Sequence, residues 1–241
     1  MSEPDSLFHR LASALPDIPK WVETRSLLLS DDCELSGLDE RTGINFIARD
    51  PNARDTYVVG WPAPEAIVEA ASLSKEVVAQ FDNQGPVVAA LPRWHREFAT
   101  LHVLGGSPRL PAVRGDAVRL LTRKEVASIA GLPSELRSEL EVAARWSPVA
   151  ATVVEGRPVS FCYAGSETES LWDISIDTLE GHRRRGFAAL CVGYMISHMR
   201  AVGKEPVWGA YESNDASLGL AAKLGFEAVD RVVVFRPPEK E

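Results

Sequence analysis

The sequence predicts an α/β (α+β) fold, a mixed sheet flanked by helices, in the order strand, helix, strand, helix, strand, strand over its second half. Three observations predict it. Residues 171–178 alternate, with Trp172, Ile174 and Ile176 set against Asp173, Ser175 and Asp177, which is the period of a half-buried strand. Residues 186–202 are apolar almost all round, which marks a buried rather than an amphipathic helix. Residues 214–225 then read as a helix of about ten residues, capped by Ser213 or Asn214 and closed by Gly225.

The remaining elements follow in order. Gly203 is placed to end the buried helix in a left-handed cap. Residues 206–211 read as a short buried strand, and 226–230 and 231–235 as two closing strands, the second rich in valine. In the first half, 21–30 and 44–48 read as strands, with Asp31 and Asp32 marking a turn. Residues 56–61 read as a strand, 64–80 as a helix begun by Pro64, 86–91 as a strand and 93–100 as a short helix. The breaker-rich stretch Gly105-Gly106-Ser107-Pro108-Arg109-Leu110-Pro111 is the expected linker. The expected division is therefore an N-terminal α/β lobe over 1–112 and a C-terminal domain over 113–241.

The junction between the alternating strand and the buried helix carries the chemistry. It reads Arg183-Arg184-Arg185-Gly186-Phe187-Ala188. A helix leaves its first amide N–H groups unpartnered and carries partial positive charge at that end, so an anion is favoured there. Gly186 permits close backbone approach and Ala188 keeps it clear of bulk. The arginines add planar donor forks suited to phosphate oxygens. The chain as a whole carries a formal charge of -8, so this basic triplet is a local exception; its other reading is a solvated loop.

Taken with Asn214-Asp215-Ala216-Ser217 and Leu224-Gly225-Phe226, this junction resembles the acetyl-coenzyme-A site of the GNAT N-acetyltransferase superfamily. Arg183, Gly186 and Ala188 match its [Q/R]-x-x-G-x-[G/A] element after the fourth strand. The wording Trp172-Asp173-Ile174-x-Ile176-x-Thr178, Pro206-x-Trp208 and Asn214-x-x-Ser217-x-x-x-Ala221-x-Lys223-Leu224-Gly225-Phe226 is similar to the branch containing zwittermicin A resistance-type acetyltransferases. The motif-bearing resemblance covers about residues 148–235. It implies a GNAT-like mixed sheet and acetyl-CoA as co-substrate. It also suggests that the N-terminal lobe is a degenerate copy of the same fold, walling the acceptor pocket.

Carried over by position, the resemblance gives Ile176, Asp177 and Thr178 backbone pairing with the pantetheine arm. Arg183, Arg184, Arg185, Gly186, Phe187, Ala188 and Ala189 would wrap the pyrophosphate. Asn214 would hydrogen-bond the cofactor arm with Ser217 nearby; their other readings are a plain N-cap and a first-turn residue. Acetyl transfer further requires a deprotonated amine, a polarised carbonyl and an acid for the thiolate. The family's acid is a tyrosine seven residues after the Asn, where this chain has Ala221. Tyr211 and Tyr194 are the replacements on offer, with a core or rim place as their alternative. Asp173 is the candidate base, or else a solvent-facing strand residue, and Glu212 is a weaker option.

The histidines add no catalyst: His182 precedes the arginines and His198 lies in the apolar helix. Trp94, His95 and His102 are the first half's most suggestive residues, as packing or as pocket wall. No His, Cys or Asp grouping has metal-ligand spacing, so no metal is expected. Cys33, Cys162 and Cys191 are odd in number and far apart, as reduced thiols of a cytoplasmic protein are. An acidic balance disfavours nucleic acid and suits an amine-bearing small-molecule acceptor; the N-terminal residues show no apolar signal segment, and no run approaches a membrane span. A sheet edge near the closing strands offers a homodimer contact. Two functions stand: an acyl-CoA-dependent N-acetyltransferase, and a non-catalytic acetyl-CoA or CoA-binding sensor or interaction protein, which Ala221 favours.

Overall fold

The computed structural model describes residues 6–30, 32–39, 44–113 and 117–238. Asp31 of the expected turn, and residues 1–5, lie outside them. The chain packs as two compact units, and these do not follow one cut near residue 112. The first comprises 1–102, 209–218 and 228–241, and the second 103–208 and 219–227.

The first unit opens with helices α1 (Leu7–Ala14) and α2 (Val22–Leu28), the latter preceded by a 3-10 turn at Pro19–Trp21. Strands β1 (Glu34–Ser36), β2 (Phe46–Asp50) and β3 (Asp55–Val59) follow as an antiparallel meander. Helix α3 (Pro64–Ser72) crosses to β4 (Glu76–Gln80), parallel to β3, as a strand–helix–strand unit requires. Helix α4 (Gly85–Ala90) leads to β5 (His95–Leu104). The last strand, β11 (Phe226–Arg236), pairs antiparallel with β4, Val234 opposite Val78. The order of these strands is β1-β2-β3-β4-β11-β5.

Four expectations for this half are corrected. Residues 21–30 form a 3-10 turn and α2 rather than a strand, because Leu27 and Leu28 bury with Leu11 and Leu15 of the preceding helix segment. Residues 64–80 divide into α3 and β4, since Val77 and Ala79 are drawn into the sheet core. Residues 86–91 are the helix α4, with Pro86 in its first turn where the missing N–H costs nothing. Within 93–100, residues 95–100 belong to β5 and the two before them form a turn, so no helix forms there. In addition, 226–235 form the single strand β11 instead of two.

The second unit runs β6 (Val118–Leu121), α5 (Arg123–Ser128), α6 (Ser134–Ala143), β7 (Val149–Val154), β8 (Arg157–Glu167), β9 (Leu171–Thr178), α7 (Phe187–Arg200), β10 (Glu205–Tyr211) and α8 (Asp215–Leu224), the last two shared with the first unit. Strands β6 to β9 are antiparallel neighbours, and β10 joins β9 in parallel. Helix α5 starts in a capping box: Thr122 accepts from the Glu125 amide, and the Glu125 carboxylate accepts from the Thr122 amide. One face of the sheet packs Phe161, Tyr163, Val149 and Ala151 against Leu136 and Leu140 of α6. On the other, α7 buries Cys191, Val192, Met195 and Ile196. The expected linker is bonded into this unit, with Gly105 N donating to Gly225 O and Arg109 N to Leu224 O, both at 2.9 Å.

Candidate functional site

The site begins where two strands part. Strand β9 pairs with β10 from Leu171 opposite Glu205 to Asp173 opposite Val207, and the registered ladder ends there. On its other edge β9 stays paired with β8 as far as Thr178 opposite Ser160. Residues 174–178 therefore lie beyond the β10 ladder while their own conformation is fixed from the β8 side. The Ser160 hydroxyl reinforces this, donating to the Asp177 carbonyl at 3.0 Å and lying 2.7 Å from the Thr178 hydroxyl.

A tight loop links β9 to α7. After a 3-10 turn at Glu180–His182, Arg183 N donates to the Glu180 carbonyl. Arg184 and Gly186 then both adopt left-handed φ, at 59° and 84°. The first backbone bond of α7 runs from Leu190 N to Gly186 O at 3.2 Å, so the amides of Phe187, Ala188 and Ala189 precede the helical ladder and can serve an anion. A Cβ at Gly186 would meet no heavy atom within 4 Å; glycine is required there for φ and leaves the backbone bare. Two arginines are engaged internally: Arg183 Nε donates to the Thr178 carbonyl at 3.1 Å, and the Arg185 guanidinium lies 5.0 Å from the Phe187 ring centroid. Beneath the helix, burial pushes the Cys191 thiol up to about 12 and the Cys162 thiol well up. Both are inert packing groups, not nucleophiles.

The face of β9 opposite α7 carries Asp173, Ser175 and Asp177, because Ser175 and Asp177 stand opposite Tyr163 and Phe161, which pack on α6. Tyr163 is 5 % exposed. Its hydroxyl lies 2.8 Å from Glu139 Oε2 and 3.2 Å from Asp177 Oδ2. Burial holds the Asp177 carboxyl above its ordinary range; the Tyr163 hydrogen bond opposes this, the Glu139 charge adds to it, and Arg183 opposes it. A cavity of about 320 Å³ opens beside this trio, walled by Leu136, Glu135, Thr178, Glu180 and Arg183. Tyr163 and Glu139 were not among the sequence candidates. A tyrosine in an alternating strand and a glutamate on an amphipathic helix give no sign of meeting until the strand register and the α6 face are known.

The other expected site residues fall as follows. Asp173 is half-buried in mid-strand, near Gly165. Ala221 is fully buried and carries no acid. Tyr211, Asn214 and Ser217 belong to the first unit, and residues 176–189 to the second. Asn214 Oδ1 accepts from Ser217 N at 3.1 Å, the N-cap arrangement. The Tyr211 hydroxyl donates to Glu76 at 3.4 Å, its ring lies 4.8 Å from the Arg236 guanidinium, and burial raises its pKa. Glu212 pairs with Arg231. Trp94 packs on the first unit's core, while His95 is exposed. Among the described residues no group of His, Cys, Asp and Glu could hold a metal ion, and no helix is long and apolar enough to cross a membrane.

The family model for GNAT acetyltransferases matches residues 150–235. No curated protein matches the sequence. Among solved structures, a GCN5-related N-acetyltransferase-like protein from Streptococcus suis is similar with TM-score 0.70 and 17% identity, over 95% of this chain and 98% of that one. A putative GNAT-family acetyltransferase from Novosphingobium aromaticivorans gives TM-score 0.58 and 20% identity, over 78% of this chain and 86% of that one. A tandem GNAT protein from the clavulanic acid biosynthesis pathway gives TM-score 0.54 and 17% identity, over 97% of this chain and 94% of that one. Residues 150–235 thus match the GNAT acetyltransferase family model, within a chain whose fold is similar to that of GNAT proteins.

Proposed function

We propose that the chain is an acyl-CoA-dependent N-acetyltransferase, moving acetyl from acetyl-CoA to a primary amine of a small-molecule acceptor by direct attack in a ternary complex. The observation that carries this is the β9 edge beyond its β10 ladder, running into the left-handed Arg184–Gly186 loop and the bare N-terminus of α7. Backbone groups of Ile176, Asp177 and Thr178 pair with the pantetheine arm, and the amides of 184–189 take the pyrophosphate. Asn214 and Ser217 are assigned to the cofactor arm, with their N-cap bond as the competing use. Within the family we place the chain nearest the zwittermicin A resistance-type branch, on its Trp172-Asp173-Ile174 and Pro206-x-Trp208 wording. A cytoplasmic location and an N-terminal lobe derived from a second copy of the fold belong to the same reading.

Thermal shift with acetyl-CoA and coenzyme A, on wild type and Gly186→Glu, tests it. Ligand that binds only the native state raises the midpoint, and a carboxylate at position 186 repels phosphate. A rise confined to wild type, with thiol release when primary amines are added, is the expected result. A folded wild type that shows no shift at saturating ligand defeats the reading. A shift without thiol release for any amine leaves the non-catalytic binder, which the buried Ala221 favours.

A further inference from the structure

The Tyr163 hydroxyl has one proton and two carboxylate neighbours within hydrogen-bond distance, Glu139 on α6 and Asp177 at the end of β9. It can donate to only one at a time. The second carboxylate must then either face the phenol oxygen without a proton, which is repulsive, or hold a proton of its own. The three groups therefore share a proton, and two of them, Glu139 and Asp177, line a cavity of about 320 Å³, with Asp177 on the strand whose backbone we assign to the pantetheine arm. We propose that Asp177, rather than Asp173, is the general base of the acetyl transfer, and that Tyr163, held by Glu139, is the positioning residue that sets its protonation.

This rests on the acetyltransferase reading and deepens it. In the step, the acceptor ammonium gives one proton to the Asp177 carboxylate. The freed amine nitrogen then attacks the thioester carbonyl; the C–N bond forms, the C–S bond breaks and the electron pair leaves on sulfur. The second nitrogen proton goes to the thiolate, giving acetamide and thiol, and Asp177 returns its proton to water. The groups facing Asp177 all bear on this. Glu139 and Glu135 on α6 and burial disfavour its charge, whereas Tyr163 on β8 and Arg183 on the following loop favour it; Glu180 lines the same cavity. A carboxyl raised in this way lies closer to the pH at which it must accept a proton.

The test uses full-length protein, acetyl-CoA and a panel of spermidine, lysine amide and tyramine, read by thiol release against pH, with carbon-13 NMR titration of the aspartate carboxyls alongside. Asp177→Asn should lower kcat/KM by about 100-fold or more while the acetyl-CoA thermal shift persists. Tyr163→Phe removes the bond that favours the charged form, so the acid limb of kcat/KM and the Asp177 NMR titration should both move to higher pH. Glu139→Gln removes the opposing charge and should move both to lower pH. A purely structural role would lower the rate and leave the limb in place, which overturns the proposal. So does an active wild type whose Asp177→Asn variant keeps its rate and limb, and so does an Asp177 carboxyl that titrates at the ordinary aspartate value. If wild type binds acetyl-CoA but releases thiol with no amine of the panel, the acetyltransferase reading falls and this inference falls with it.

Discussion

Thr152 anchors the first turn of the cradle helix: its Oγ1 donates to the Phe187 carbonyl across 3.0 Å, from a position 1 % exposed in β7. The sheet thereby fixes the first helical residue after Gly186, where the unpartnered amides lie. Thr152→Val should cost roughly 1 kcal/mol of stability and, through loss of that anchor, reduce the midpoint rise given by coenzyme A. Urea unfolding and thermal shift check it; unchanged ligand response would mean that the turn is held by the remaining α7 packing.

Two glycines at helix ends, both left-handed, should respond differently to alanine. At Gly186 the added Cβ meets open space, so Gly186→Ala carries only the conformational cost of about 1–2 kcal/mol. At Gly225, φ 91°, the Cβ would come within 3.2 Å of Ser107 O and Pro108 Cα, which are backbone and cannot swing aside. Gly225→Ala should therefore destabilise more than Gly186→Ala in urea. Equal costs would show that the 107–109 segment yields freely.

The second half was legible because its signals are local. The alternation over 171–178 is the strand as found, and the cradle helix, the following strand and α8 lie within about two residues of expectation because glycines mark their ends. The first half misled where local composition and tertiary demand diverge. Trp21, Val22 and Leu27–Leu29 resemble a strand by residue type, yet their burial against α1 is helical. The Val87–Val88 pair looks extended but sits in a short helix behind Pro86. Residues 73–75, between α3 and β4, contain neither glycine nor proline to announce the break. The strand–loop–helix junction was readable from contiguous residues, the alternation of 171–178, the run Arg183–Ala188 and the apolar helix after it, whereas the Tyr163–Glu139–Asp177 trio joins three elements and exists only through register.

Stability should fall as pH rises from about 4.5 to about 7, for a reason lodged in the first unit. Burial, reinforced by the Asp55 and Glu76 charges and opposed by a Tyr57 hydrogen bond, pushes the Glu23 carboxyl from 4.5 up to about 7; burial likewise pushes Asp55 up to about 6. A folded-state pKa above the unfolded value means that the native state holds the proton more tightly. The penalty is absent below about pH 4.5 and grows as pH rises towards 7. Glu23→Gln should leave the midpoint nearly unchanged at pH 4.5 and raise it at pH 8. A substitution effect that is the same at both values would show that Glu23 titrates normally.

Ala221 offers the sharpest check on where the leaving-group acid is not. It stands seven residues after Asn214, the position the resemblance reserves for a tyrosine, yet it is fully buried with Leu224 in the interior face of α8. A phenol there would overpack the core, costing about 1–3 kcal/mol or more, and its hydroxyl would need a polar partner. Ala221→Tyr should therefore lower the melting midpoint and bring no gain in thiol release at any pH. A stable Ala221→Tyr variant with a faster rate and a new alkaline limb would show instead that the position opens onto the thioester, and that the chain works without an acid its fold still accommodates.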